Sequence, residues 1–209
     1  MIILRQLLIV PFLFIGILKK QQFVKINQDA SNRNVGTRHN STNKNQLQKT
    51  MGISINLYRV NKAEKLNDLK DLENQISKTT DTRVNLYKIT SDLAVIFLNT
   101  TDPYSNSNTI PYKMLFGRHA KQSVSVGEIG GFLPSSDIPE IAKWIKSNKI
   151  ETFDGFSKMY DNLSKEVKKE LEEMGSDDKV SLFNGYVRPL VVLYFTALEN
   201  QNSVLCIGQ

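Results

Sequence analysis

The chain has 209 residues, 40% of them hydrophobic, and carries 27 Lys and Arg against 21 Asp and Glu, a formal charge of +6. The length suits one domain with an appendage. Residues 1–50 hold eight basic side chains (Arg5, Lys19, Lys20, Lys25, Arg33, Arg38, Lys44, Lys49) against Asp29, a balance of +7, while residues 51–209 hold nineteen basic and twenty acidic ones, a balance of −1. The domain after the seam therefore lacks the excess cation that drives phosphate binding, and a nucleic-acid role is excluded. A single cysteine, Cys206, excludes an internal disulfide and a Cys-rich metal site, and its apolar setting predicts a buried thiol.

Residues 2–18 are largely apolar, with a continuous run of twelve from Leu7 to Leu18. A spanning helix needs about 20 such residues, and Pro11 and Gly16 weaken the run further as a helix. The length suits an export signal, but Lys19-Lys20-Gln21-Gln22 follows with no small-residue cleavage site. Residues 19–50 contain six Asn, five Gln and five Lys, too polar to offset chain entropy by burial, so disorder is expected. The extension reads in three ways: a membrane anchor through residues 2–18, an export signal, or translated sequence ahead of a start at Met51. Its Asn- and Lys-rich composition favours the third, which leaves residues 51–209 as the folded domain.

Ile53 to Tyr58 alternates apolar and polar residues and predicts a strand with one buried face. Asn61 with Glu64 three residues on is a capping box, opening a helix on Leu66, Leu69, Leu72 and Ile76 that ends near Ser77. Val84 to Ile89 predicts a second strand, and the nearly continuous apolar run to Leu98 predicts a helix from Thr90 or Ser91 that is buried on most sides. Residues 99–111 are loop-forming, and Lys113 to Gly117 is a single helical turn stopped by glycine. A short strand is expected at Val124–Val126. Gly127, Gly130 and Gly131 then read as turn glycines with positive φ.

Pro134-Ser135-Ser136-Asp137 starts a helix whose inner face is Ile138, Ile141, Ala142 and Ile145, flanked by Trp144. Phe153, Phe156, Met159, Tyr160 and Leu163 continue a helical stripe. Ser164 caps a helix with a charged, solvated face, which Gly175 ends. Asp177 or Asp178 caps a last helix through Leu198, with Pro189 placed to kink or split it. Ser203–Ile207 closes the chain as a strand. The order gives an α+β fold, a small mixed sheet with several packed helices.

Chemistry is sparse. His119 is the sole histidine after the seam. A Ser-His-Asp arrangement would have to use it, with Asp137 or Glu128 as orienter, and no G-x-S-x-G elbow accompanies it. Arg118, His119, Glu128 and Asp137 are the candidate site residues, the set that a cleft beside the Gly117 turn would gather. Gly127-x-x-Gly130-Gly131 lacks the endings of a phosphate loop. Asp177-Asp178 and Glu172-Glu173 are adjacent pairs, which do not share a helix face. No metal or cofactor is expected.

Met51-Gly52-Ile53 before a strand, the segment Gly131-Phe132-Leu133-Pro134-Ser135-Ser136-Asp137-Ile138-Pro139-Glu140-Ile141-Ala142, and a long helix followed by a terminal strand together resemble the YfbM-like family of bacterial domains of unknown function. The resemblance spans residues 51–209 and implies a cytoplasmic α+β domain with no assigned activity. Family members carry an Asp-Lys-x-Trp-His core where this chain has Leu86 to Leu98, without the Trp and His. The function expected is a non-catalytic interaction protein binding a protein partner, an immunity-type binder among the forms it could take. The alternatives are a small-molecule binder or enzyme using a cleft near His119, and a membrane-anchored protein.

Overall fold

The computed structural model describes residues 54–78 and 83–208, all within the compact unit Leu47–Gln209. The apolar run 2–18, the polar tail and the Met51 seam lie outside the described residues, as do residues 79–82. Among the described residues no helix is long and apolar enough to cross a membrane.

Five strands form one sheet in the order β2-β1-β5-β4-β3. β1 (Ile55–Val60) pairs with β2 (Arg83–Asn85) through Leu57 opposite Val84, and with β5 (Ser203–Gly208) through Leu57 opposite Cys206. β5 also pairs with β4 (Gly127–Leu133), which pairs with β3 (Arg118–Val124). The α+β class is as expected, but all four pairings are antiparallel, so the expected mixed sheet is corrected. The residues read as a short strand and turn glycines form a hairpin, closed at Val124 opposite Gly127, which has the expected positive φ of 148°, while Gly130 and Gly131 lie within β4 without it. β3 is an edge strand, mostly exposed, and so it carries no apolar alternation to announce it.

Side chains alternate across the sheet and are buried on both faces. Leu57, Val204 and Cys206 join the main core with the helices, while Tyr58, Val60, Leu205 and Ile207 join a smaller cluster with Leu72 and Ile76. The smaller cluster is covered by α1 (Leu72–Lys78), shorter than expected. Ala63 explains why. Its backbone N–H donates to the buried Ser203 Oγ at 2.9 Å, and that hydroxyl donates back to the Ala63 carbonyl at 2.8 Å. The segment is thereby held against the sheet, and Asn61 and Glu64 form no helix cap. Glu64 instead accepts hydrogen bonds from Ser135 and Ser136 at 2.7 and 2.6 Å.

On the other face α2 (Thr90–Leu98) buries Leu93 through Phe97, as its continuous apolar run requires. Around it pack α3 (Ile110–Phe116), α4 (Ile138–Ser147), α5 (Phe153–Asp161) and α6 (Lys165–Met174). Then come α7 (Lys179–Leu182) and α8 (Arg188–Glu199). The caps are those the sequence indicates. Ser164 Oγ accepts from the Val167 N–H at 3.2 Å, and Asp178 accepts from the Val180 N–H at 2.8 Å. Pro189 cannot donate to the carbonyl four residues back. The chain answers with a π-helical stretch, Phe183–Val187, before α8 resumes. The α8 side chain Tyr194 is fully buried and donates to the Met114 carbonyl at 2.5 Å, satisfying an acceptor in the last turn of α3.

Gly130 and Gly131 differ sharply. A Cβ on Gly131 would lie 1.7 Å from the Phe116 carbonyl oxygen, whereas one on Gly130 meets nothing within 4 Å. Gly131→Ala is expected to cost about 3 kcal/mol of stability and Gly130→Ala less than about 0.5 kcal/mol, measured by urea denaturation of both variants. Asp92, in the first turn of α2, supplies a second test. It is 8% exposed, and burial pushes its carboxyl above the usual range. The native state therefore binds this proton more readily than the unfolded chain, so ionised Asp92 destabilises above the raised value and the penalty vanishes below the ordinary carboxylate range. Asp92→Asn should raise the urea midpoint at pH 7 and lose that advantage below about pH 4.

Candidate functional site

Where β1, β5 and the β3–β4 hairpin meet α3, a cleft of about 820 Å³ opens. Its apolar base includes Ile55, Cys206 and Gly208, and α3 contributes Tyr112, Lys113 and Phe116. Arg118, His119 and Glu128 come from the hairpin, and Ser107 and Asn108 complete the rim.

Local sequence explains the position of each group. Gly117 ends α3 with φ 71° and donates its N–H to the Lys113 carbonyl at 2.7 Å. This glycine, with positive φ and extended ψ, turns the chain directly from helix into strand, so that Arg118 and His119 begin β3 beside the last turn of α3. The turn packs on β4: a Cβ at Gly117 would meet the Phe132 nitrogen at 2.8 Å. Gly131 must accordingly be bare, and the β4–β5 register shifts between Ile129 and Gly131. Beyond the shift Glu128 stands opposite Gly208, and both line the cleft.

The four candidate residues are thus brought together in part. Arg118, His119 and Glu128 line the cleft. Asp137 does not; it lies at the start of α4, largely buried, and holds Arg118 from behind in a two-point pair. Nε donates to one carboxylate oxygen and an Nη to the other, both at 2.5 Å. Among the described residues His119 is hydrogen-bonded to no acid and no hydroxyl, so no nucleophile–base pair is assembled around it. Asp137 orients the arginine and not the histidine.

Two features of the site were missed in the sequence. The sequence reading gives Phe116 a single turn beginning at Lys113 and assigns Tyr112 to no element, whereas α3 extends over seven residues and sets the two at i and i+4 on one face. Their ring centroids are 4.6 Å apart, and Tyr104 meets Phe116 at 5.8 Å. Burial first, and Tyr104 second, push the Tyr112 phenol up, which keeps it a neutral hydroxyl. The i, i+4 spacing was a readable signal, masked by the polar text around Pro111. The second is Lys113, which lines the cleft and forms no ion pair among the described residues. Among those residues no three His, Cys, Asp or Glu side chains gather as a metal site.

The architecture is that of an α+β domain with a ligand-sized cleft at one end of its sheet. No family model matches the chain, and no curated protein matches it. Among solved structures it is similar to YfbM from Escherichia coli, described as a protein of unknown function, at 17% identity and a TM-score of 0.49, covering 75% of this chain and 99% of that one.

Cys206 lines the cleft but is 3% exposed, and burial pushes its thiol well up. A disulfide-exchange reagent at about pH 8.5, where a free thiol is half ionised, should leave the folded protein unmodified and react fully once urea is added. Rapid stoichiometric labelling without urea would show that the base of the cleft admits small molecules to the sulfur.

Proposed function

We propose that this protein is a non-catalytic binding protein whose ligand site is the cleft between α3 and the β3–β4 hairpin. The observation that carries the reading is the cleft itself: at about 820 Å³ it has ligand size, an apolar base, and a few polar groups placed at its rim. The missing nucleophile–base pair around His119 supports binding over turnover, and the inert setting of Cys206 supports it further. The sequence-level expectation of a protein partner becomes, in this reading, a small-molecule ligand. An immunity-type role rests on no residue of the fold.

The test is a thermal-shift screen of the full chain against millimolar metabolites, repeated with Lys113→Ala and His119→Ala. Neither side chain packs in the core, so both variants should fold. At least one metabolite is expected to raise the wild-type melting temperature by several degrees through mass action, and both substitutions should shrink that shift. A panel without any stabilising compound, or shifts untouched by either substitution, would remove the cleft as the binding site.

A further inference from the structure

We infer that Gly130 determines which ligands the cleft admits: the side chain it lacks leaves floor space on which a ligand lays an uncharged, apolar body directly against backbone. The inference deepens the cleft reading above and rests on it. It starts from alternation. Ile129 and Phe132 both enter the smaller cluster, yet residues three apart on a regular strand point to opposite faces. One residue too many therefore lies between them, and the register shows which. Against β5, Ile129 stands opposite Ile207 and Gly131 opposite Cys206; against β3, Ile129 stands opposite Gln122 and Gly131 opposite His119. Gly130 has no partner in either register. It is the extra residue of a bulge, and it shares the helix-facing side of β4 with Gly131.

The two glycines are bare for different reasons. At Gly131 the Phe116 carbonyl fills the place of a side chain. Gly130 answers to no such demand. Its φ is not positive, and a Cβ there meets nothing within 4 Å among the described residues. Glycine inside a strand gives up stability through its backbone freedom, so a bare position that no contact requires calls for another cause. Gly130 lines the cleft, and a strand glycine without a packing role marks the close approach of a ligand.

The surroundings set the chemistry of that approach. On the helix-facing side the β5 neighbours of Gly130 are Cys206 and Gly208, and the row of Gly208 continues to Ile55. All three line the cleft. A thiol kept neutral by burial, a glycine and an isoleucine offer a charge no compensation. The part of the ligand over Gly130 is accordingly apolar, and its polar groups belong at the rim. A side chain introduced at position 130 occupies this same space without displacing any residue of the fold.

The experiment uses the full chain and N-phenylnaphthylamine, an uncharged apolar dye whose fluorescence rises when it leaves water, with the His119 ring proton signals as the local reporter. The dye should brighten on the wild-type protein and shift the His119 signals. Gly130→Ala should weaken binding about tenfold, and Gly130→Leu should abolish it. Gly185→Leu, at a glycine outside the cleft with equally open space, should leave the affinity unchanged. Urea midpoints verify that each variant folds; should Gly130→Leu fail to fold, Gly130→Ala decides.

Unchanged dye affinity in the Gly130 variants, with the His119 signals still shifting, overturns the inference and leaves the cleft reading standing. Where the dye moves no His119 signal, a stabilising metabolite from the thermal-shift screen takes its place: loss of its shift in the Gly130 variants supports the inference, and an undiminished shift overturns the inference alone. A dye that moves no His119 signal together with a blank screen overturns both.

Discussion

Ser203–Gly208 stands between β1 and β4, and among the described strands only β5 touches both the β1–β2 pair and the β3–β4 hairpin. Both of its faces are spent on burial: Val204 and Cys206 enter the helical core, and Leu205 and Ile207 enter the smaller cluster. Its first residue, Ser203, also binds Ala63 and holds the segment after β1. The sheet therefore cannot close until Ser203–Gly208 is in place. Pairing Ile55 with Gly208 spans nearly the whole domain, a non-local contact of the kind that slows folding and leaves strand edges exposed until late. The cleft inherits the same dependence, because Cys206 and Gly208 form part of its base.

A second constraint acts at right angles to the strands. Gly117 and Gly131 let the end of α3 lie directly on β4, with no side chain between. That approach sets how far the aromatic wall stands from the hairpin, while the Tyr194 hydroxyl fixes the same helix from the side of α8. Helix α3 is short, seven residues, and an isolated helix of that length has no stability of its own. Its orientation comes from these contacts. Width and rigidity of the cleft are thus properties of the core and the glycine contact, and less of the residues that line it.

Much of the fold was legible where burial is one-sided or complete. α2 and α4 have strongly one-sided or continuous apolar patterns, and β5 was readable as a short apolar run, Ser203–Ile207. Ser164, Gly175 and Asp178 act as the caps and stops their chemistry suggests. Legibility failed where long-range contacts override local preference. The Asn61–Glu64 box is a sound helix signal, but Glu64 finds Ser135 and Ser136 and Ala63 finds Ser203. The β3–β4 hairpin has an exposed outer strand and, at Gly131, a glycine required by close approach, so alternation did not reveal it, and Gly127 alone keeps the positive φ of a turn glycine. For the site, Arg118, His119 and Glu128 fall on one cleft because the hairpin places them there, whereas the role of Asp137 was misjudged. Sequence spacing could not show that it faces the arginine.

The Arg118–Asp137 pair clarifies what sort of recognition this cleft can perform. Asp137 immediately precedes α4, where the positive end of the helix dipole also favours a carboxylate. With its charge supported from two sides, the aspartate cancels Arg118 in the long-range field while the arginine side chain stays exposed. What remains around the opening is Lys113 and His119 against Glu128, nearly balanced. A domain with a net charge of −1 over residues 51–209 and a balanced cleft will not draw anions in from a distance. Selection has to occur at contact, through the shape of the cleft wall that Tyr112 and Phe116 form. Such a site discriminates by shape and donor placement, and its affinity should depend weakly on ionic strength, unlike that of a surface built on unpaired charge.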